Sequence, residues 1–261
     1  MSAATRTTIG NVARGLVVPL LLVVLWETMS RWSAQFAYAF VPVRDIASSF
    51  LELVRSGELL MHIGASLATA LRGLVFGTLA GCAIGVAMAF FRPVDLLLNP
   101  LFQALRQVPN LALIPLIVLW FGNTEFSKLL VVSMAVGEVM VLNTYEGLHN
   151  VDRRLIEVGR ALTLSRAQIF RHILIPAALP SMSTGIQHAV AFAWLATVGV
   201  ELLFTVGPGL SVIMERAQMA ARMDIVIVCL VFIALLGYAI HHFCQLLARR
   251  LLRWRQVGYG P

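Results

Sequence analysis

The sequence predicts an all-α polytopic membrane protein with six transmembrane helices and both termini on the cytoplasmic side. Three observations carry this. Of the 261 residues, 59% are hydrophobic and 13% charged, against about 45–50% and about 25% in a soluble domain; mean hydropathy is +0.84. Five apolar runs reach the length of about 20 residues that crosses about 30 Å of hydrocarbon, and a sixth is broken by prolines. Six crossings put both ends on one side, and the basic residues say which. With the N-terminus cytoplasmic, the inner segments hold Arg6, Arg14, Arg92, Arg153, Arg154, Arg160, Arg166, Arg171, Arg249, Arg250, Arg253 and Arg255. The outer segments hold the smaller set Arg31, Arg44, Arg55, Lys128, Arg216 and Arg222, as the positive-inside rule requires.

The first run, residues 12–29, is long and has no clear small-residue cleavage site after it, so it reads as a retained helix rather than a signal peptide. Residues 30–62 form a long external connector. Within it Pro42, Arg44 and Asp45, then Ile46, Phe50, Leu51 and Val54, predict a short amphipathic helix on the outer face. Residues 1–64 are thus the N-terminal helix plus this external segment, and a core of about residues 65–248 follows within one domain, 1–261. The second run, 65–91, carries Gly73, Gly77, Gly81 and Gly85, one every fourth residue. Such a stripe lets a neighbouring backbone come close, and is expected to be a helix-packing seam. The third run, 96–121, contains Pro100, Pro109 and Pro115; the fourth is 127–145, the fifth 180–204 and the sixth 225–248. Between the last two, Val206-Gly207-Pro208-Gly209-Leu210 predicts a turn followed by a short helix. Trp26 and Trp120-Phe121 read as interface anchors.

Residues 150–176 stand out as polar on the cytoplasmic side. Asn150 or Asp152 can cap a helix reaching about Leu162, with Leu155, Val158 and Leu162 on one face. Ser165 and Gln168 have capping-box spacing and start a second helix with Ile169, Phe170, Ile173 and Leu174 on one side. Pro176 and Pro180, which lack an amide donor, are expected to close it. The pair is too polar to span and too patterned for a slack loop. Three readings stay open on periodicity alone: a basic helix pair lying on anionic headgroups, filler packed on its own bundle, or a docking surface for a soluble partner.

At these residues the chain resembles the EAA loop of permease subunits of ATP-binding-cassette importers. The likeness lies in Glu157-Val158-Gly159, the stretch from Arg160 to Ser165, and Phe170-Arg171-His172-Ile173-Leu174-Ile175-Pro176. It departs from the pattern at Val158 and Gly159, where alanines are usual, and at Thr163, where the family turns on glycine. Glycine takes positive φ freely and threonine resists it, so a turn of different geometry is expected at Thr163. The strings Leu105-Arg106-Gln107-Val108-Pro109, Leu119-Trp120-Phe121-Gly122, Leu142-Asn143-Thr144-Tyr145-Glu146-Gly147-Leu148 and Ile175-Pro176-Ala177-Ala178-Leu179-Pro180 are similar to the aliphatic sulfonate, taurine and nitrate permeases. The resemblance covers about residues 12–255.

The resemblance implies a permease that works as a pair, most simply a homodimer, in the bacterial cytoplasmic (inner) membrane, with two cytoplasmic ATPase subunits and an extracytoplasmic substrate-binding protein. It implies alternating access for a small anionic solute, an aliphatic sulfonate or taurine, with nitrate or a small heterocycle as the alternative. It also implies that Glu157, Val158, Gly159, Leu162, Thr163, Ser165, Phe170, Ile173 and Pro176 form the ATPase-coupling surface. The chain has no G-x-x-x-x-G-K-[ST] loop, so ATP and Mg are expected in the partner, and no cofactor, metal or catalytic residue in the chain itself.

Polar groups inside an apolar helix are costly and mark candidates for the translocation path. Gln187, Ala191, Trp194, Thr197 and Glu201 fall on one arc of the fifth helix. Pathway lining and packing between helices are both open for this stripe, and Glu201 could instead snorkel to headgroups. Arg106 and Gln107 lie in the proline-broken run. The planar fork of Arg106 suits an oxyanion; pairing with Glu138, or a place at the inner interface, is the other reading.

Other classes fit less well. The net charge of +7 raises nucleic acid, but no basic patch is interleaved with stacking aromatics. An ion-coupled secondary transporter needs repeats and embedded carboxylates; Glu138 and Glu201 are the available ones and no repeat is visible. His62, His149, His172, His188, His241 and His242 form no metal-site motif. Cys82, Cys229 and Cys244 sit in apolar runs, and their odd number argues against a disulfide framework.

Overall fold

The computed structural model describes residues 17–251 except 19 and 205. The start of the first apolar run, residues 12–16, and Arg6, Arg14, Arg253 and Arg255 of the inner basic set lie outside the described residues. Among the described residues every regular element is helical. In order they are α1 (Leu20–Ser30), α2 (Ala34–Ala39), α3 (Val43–Arg55), α4 (Glu58–Phe90), α5 (Arg92–Leu105), a 3₁₀ turn (Asn110–Leu113), α6 (Ile114–Phe121) and α7 (Glu125–His149). Then come α8 (Arg153–Ala161), α9 (Arg166–Ile169), a π-turn (Phe170–Leu174), α10 (Ile175–Leu203), α11 (Leu210–Met219) and α12 (Met223–Leu251).

By length and composition, α4, the continuous stretch Arg166–Leu203 and Met223–Leu247 can each cross a membrane. The third apolar run is bent by 92° between Arg92–Leu105 and Asn110–Phe121, and makes a fourth crossing if the bent pair is one broken span. Pro109 lies at the break, and Gly122, with φ +76°, ends the second arm. Helix α7 is not in this set although it has 25 residues. Val131, Val132, Val136 and Met140 of α7 have no exposed surface. A helix enclosed by protein rather than lipid need not be apolar all round.

The chain divides into two compact units. The smaller comprises the described residues up to Leu60 together with Ile213–Val231. In it, Trp26 packs edge-on against Phe40 with ring centres 5.0 Å apart and donates its indole N–H to Val41 O at 2.9 Å. The predicted amphipathic helix forms as α3, with Ser49 and Leu53 buried. Arg222 donates to Asp224 at 2.7 Å and to Glu52 at 3.1 Å, while Ser49 Oγ also donates to Asp224. The hydrogen bonds to Asp224 and then Glu52 raise the Arg222 pKa above its ordinary value, so this cation stays charged.

The larger unit, Met61–Val212 with the described residues from Phe232, is built around α7. Ile114 and Ile117 of α6 and Ala189, Ala193, Val200 and Phe204 from α10 and its end close on the buried valines of α7. The glycine stripe of α4 also faces α7. A Cβ at Gly77 would lie 2.5 Å from Ser133 O, at Gly81 2.6 Å from Gly137 O, and at Gly85 2.9 Å from Val141 O; at Gly73 it would overlap Val132. On the other side, a Cβ at Gly185 of α10 would meet Asn143 Cβ at 2.6 Å. At Gly77, Gly81 and Gly85 backbone therefore meets backbone, and dispersion at short range replaces the hydrophobic drive that lipid does not supply.

One expectation fails at the prolines. Pro176 and Pro180 do not close the second helix of the polar pair: α9, the π-turn and α10 run on as a single 38-residue helix, Arg166–Leu203. At Pro176 the π-turn is the reason. Ile175 N–H bonds to Phe170 O, five residues back, so the ladder shifts register just before Pro176. The missing amide and the bulky ring are thereby absorbed without a stop.

Candidate functional site

Helices α8 and α9 form a compact pair. The Asp152 carboxylate caps α8 by accepting from Arg154 N–H at 2.9 Å. The Ser165 capping box is complete: Gln168 N–H donates to Ser165 Oγ at 3.3 Å and Ser165 N–H to Gln168 Oε1 at 2.8 Å. The helices touch at Gly159, which is buried. A Cβ there would lie 2.6 Å from Ile173 Cδ1 and 3.2 Å from Ile169 Cγ1. Phe170 is half-buried and packs edge-on against Phe90, ring centres 4.8 Å apart, which fixes the pair to the end of α4.

The turn at Thr163 corrects the sequence reading. Thr163 has φ +57°, the left-handed conformation that glycine would adopt. Two hydrogen bonds hold it: Thr163 N–H to Arg160 O at 2.9 Å and Leu164 N–H to Gly159 O at 3.1 Å. This is the Schellman arrangement, and it ends α8 as a glycine would. The bonds satisfy carbonyls that would otherwise be orphaned, and that offsets the steric penalty of a Cβ in this region. The turn geometry is therefore retained and the strain is local.

What the pair presents outward is mixed. Leu155, Val158 and Leu162 are 47%, 57% and 66% exposed, and Glu157, Arg153, Arg154, Arg160, Arg166 and Arg171 are exposed around them. Ile173 is turned partly inward and Pro176 is exposed on the rod. An apolar strip with charged edges, on helices whose own polar groups are capped, suits contact with another surface.

The polar arc of α10 divides. Gln187 is half-buried with its amide on Ser183 O at 3.3 Å, and Ala191 is exposed. Trp194 is buried and donates to Ile233 O of α12 at 3.2 Å; Thr197 donates to Ala193 O of its own helix at 2.7 Å. Glu201 has no exposed surface. Its Oε2 accepts from Ser66 Oγ at 2.9 Å and from Ser211 N–H at 3.2 Å, so the carboxylate points into the unit and not to headgroups. Sequence reasoning missed these partners, along with the buried Lys128, which bonds Glu125 at 2.7 Å and Val206 O at 2.6 Å. The available signal was His62 and Ser66 four residues apart on one helix face.

Arg106 and Gln107 are exposed at the end of α5. Arg106 donates to Gln103 Oε1 at 3.3 Å, whereas Glu138 accepts from Asn110 Nδ2 at 3.0 Å. The Arg106–Glu138 ion pair is thus not formed. Cys82, Cys229 and Cys244 are free thiols.

Comparison with known proteins places these features in a group. Residues 73–253 match the family described as "Binding-protein-dependent transport system inner membrane component". The chain is similar to the putative aliphatic sulfonates transport permease protein SsuC of Bacillus subtilis, 33% identical with 95% of this chain and 89% of the relative covered. It is also 33% identical to the protein of the same name from Escherichia coli, covering 91% and 90%. The Escherichia coli taurine transport system permease protein TauC is 27% identical over 89% of this chain and 86% of its own. Among solved structures, the inward-facing MetNI methionine ABC transporter gives a TM-score of 0.61 at 18% identity, covering 75% of this chain and 97% of that one. An amino acid ABC transporter crystallised with histidines gives 0.62 at 16%, covering 77% and 98%.

Proposed function

Because the chain belongs to the binding-protein-dependent transport system inner membrane component family, we propose that it is the membrane-spanning subunit of an ATP-driven importer for a small anionic solute, an aliphatic sulfonate or taurine. Six crossings place both termini and the α8–α9 pair in the cytoplasm of a bacterial inner membrane. The whole chain acts as one permease domain, and two copies form the pathway. Each copy seats α8–α9 in a groove of an ATPase subunit, which binds ATP and Mg. Closure of the ATPase pair then displaces α8–α9, and a binding protein delivers solute on the outer side. The sulfonate and taurine relatives support the solute class.

The observation that carries the docking role is the exposed strip Leu155, Val158 and Leu162 beside Glu157, on a pair fully capped and pinned through Gly159 and Phe170. Arg106 and Gln107, exposed at the broken span, and half-buried Gln187 are the proposed path residues. Trp194, Thr197 and Glu201 contribute by holding the path-bearing helix against its neighbours.

The test is reconstitution with the ATPase and the binding protein, across sulfonates, taurine, nitrate and pyrimidines. ATP-dependent uptake of a sulfonate or taurine is expected. Glu157→Lys and Leu162→Asp, both on exposed positions, should abolish uptake and ATPase recovery while the permease stays in the membrane. Solute movement with no ATPase present would overturn the importer reading.

A further inference from the structure

The turn before α11 is held in an unusual way. A helix leaves its first amides without intrahelical partners, and a local side chain normally caps them. Here the backbone around the start of α11 is held by side chains from other helices. His62 Nδ1 faces the Gly209 backbone, 2.9 Å from its N and 2.8 Å from its O, while Leu210 N–H donates to Ser66 Oγ at 2.9 Å and Ser211 N–H to Glu201 Oε2 at 3.2 Å. His62 and Ser66 lie on α4 and Glu201 is near the end of α10. Ser66 Oγ in turn donates to Glu201 Oε2, so these two partners are linked to each other. Gly209 permits the approach: a Cβ there would stand 2.5 Å from the Glu201 carboxyl carbon. On the preceding side of the turn Lys128 of α7 holds Val206 O.

This knot sits at one end of the 38-residue helix Arg166–Leu203 whose other end is the cytoplasmic pair. It is also incompletely satisfied: Glu201 Oε1 and Ser211 Oγ are buried without a partner. Unsatisfied buried polar atoms raise the free energy of the arrangement that holds them and favour any state that relieves them.

Resting on the importer reading, we propose that Glu201 is a positioning residue for transport. Through Ser66 and the α11 amides it ties the far end of the α9–α10 rod to the turn at 206–210. Displacement of the cytoplasmic pair is then delivered to that turn, about 55 Å along the helix at 1.5 Å per residue. Hydrogen bonds to the Glu201 oxygen carry the tie. An amide oxygen at the same place therefore serves nearly as well, and a methyl group does not.

The experiment uses the full permease–ATPase complex in proteoliposomes, with Cys82, Cys229 and Cys244 replaced by serine and Val206→Cys as reporter. Maleimide labelling of Cys at this position is compared between nucleotide-free and vanadate-trapped complex. A change of at least fivefold on trapping is expected with Glu201 present. Glu201→Ala should reduce that change to under twofold while ATP hydrolysis remains within about twofold of the parent, a split that general destabilisation would not produce. Glu201→Gln should restore most of the change. Ser66→Ala, which removes only the relay hydroxyl, is the second variant if Glu201→Ala does not assemble, and should lower the change at least twofold. An unaltered labelling change in Glu201→Ala or Ser66→Ala overturns the proposal, as does a parent complex that hydrolyses ATP with no labelling change. A parent permease that never stimulates the ATPase refutes the importer reading instead.

Discussion

Replacing Thr163 by glycine is expected to strengthen the α8–α9 turn. Thr163 is exposed and has φ +57°, so its side chain adds strain and little packing. The left-handed region costs a non-glycine residue about 1–2 kcal/mol. Glycine returns about 0.5–1 kcal/mol of that through the greater freedom of the unfolded chain. The net gain is about 0.5–1 kcal/mol, which is about a two- to fivefold rise in protection of local amides at 1.4 kcal/mol per tenfold. Hydrogen exchange at Leu164, whose N–H bonds Gly159 O at 3.1 Å, reads this directly. Ala221→Gly is the internal comparison. Ala221 also has φ +57°, and the Arg222 N–H behind it bonds Ala217 O at 2.8 Å. It should show the same gain at Arg222. Unchanged or faster exchange in both variants would refute the strain argument. Thr163→Gly should also leave assembly with the ATPase intact; its loss would mean that the threonine side chain itself is a contact of the docked surface.

Other outcomes follow from the same geometry. Gly81→Ala should destabilise the larger unit by about 1–3 kcal/mol, because its Cβ meets the Gly137 carbonyl, which cannot rotate away. Gly64→Ala, on the same helix with nothing within 4 Å, should instead raise stability by about 0.5–1 kcal/mol in the same thermal melt, and equal losses at both positions would discount the seam. Gly159→Val should separate α8 from α9 by displacing Ile173 and Ile169, seen as faster exchange across residues 153–169; wild-type protection there would count against the contact. Asp224→Ala should lower stability by about 1 kcal/mol, as Arg222 is part-exposed and screened. An unshifted melt would show that the ion pair contributes nothing.

Much of the local structure was legible. Apolar runs of membrane length, Asp152 and Ser165 as caps, the α3 pattern and the Gly207-Pro208-Gly209 turn rest on interactions within a few residues. The family likeness was legible for a similar reason, since the exposed strip of α8 and its flanking motifs are contiguous in sequence. The errors came where one local rule met another. Pro176 reads as a stop until the π-turn before it is known, and Thr163 reads as an unwilling turn until its two backbone bonds are counted.

The sequence by itself determined the all-helical, apolar class of the chain and the places of its caps and main apolar runs, because hydropathy, caps and glycine spacing act along the chain. Only the tertiary structure decided which helix the glycine stripe meets, why α7 can carry polar residues, and where Glu201 points. Those answers depend on groups far apart in sequence, such as Gly77 against Val136 or Ser66 against Glu201, 135 residues away. No local pattern encodes such pairings. They are chosen by which surfaces fit at backbone contact and by which buried polar atoms find a donor.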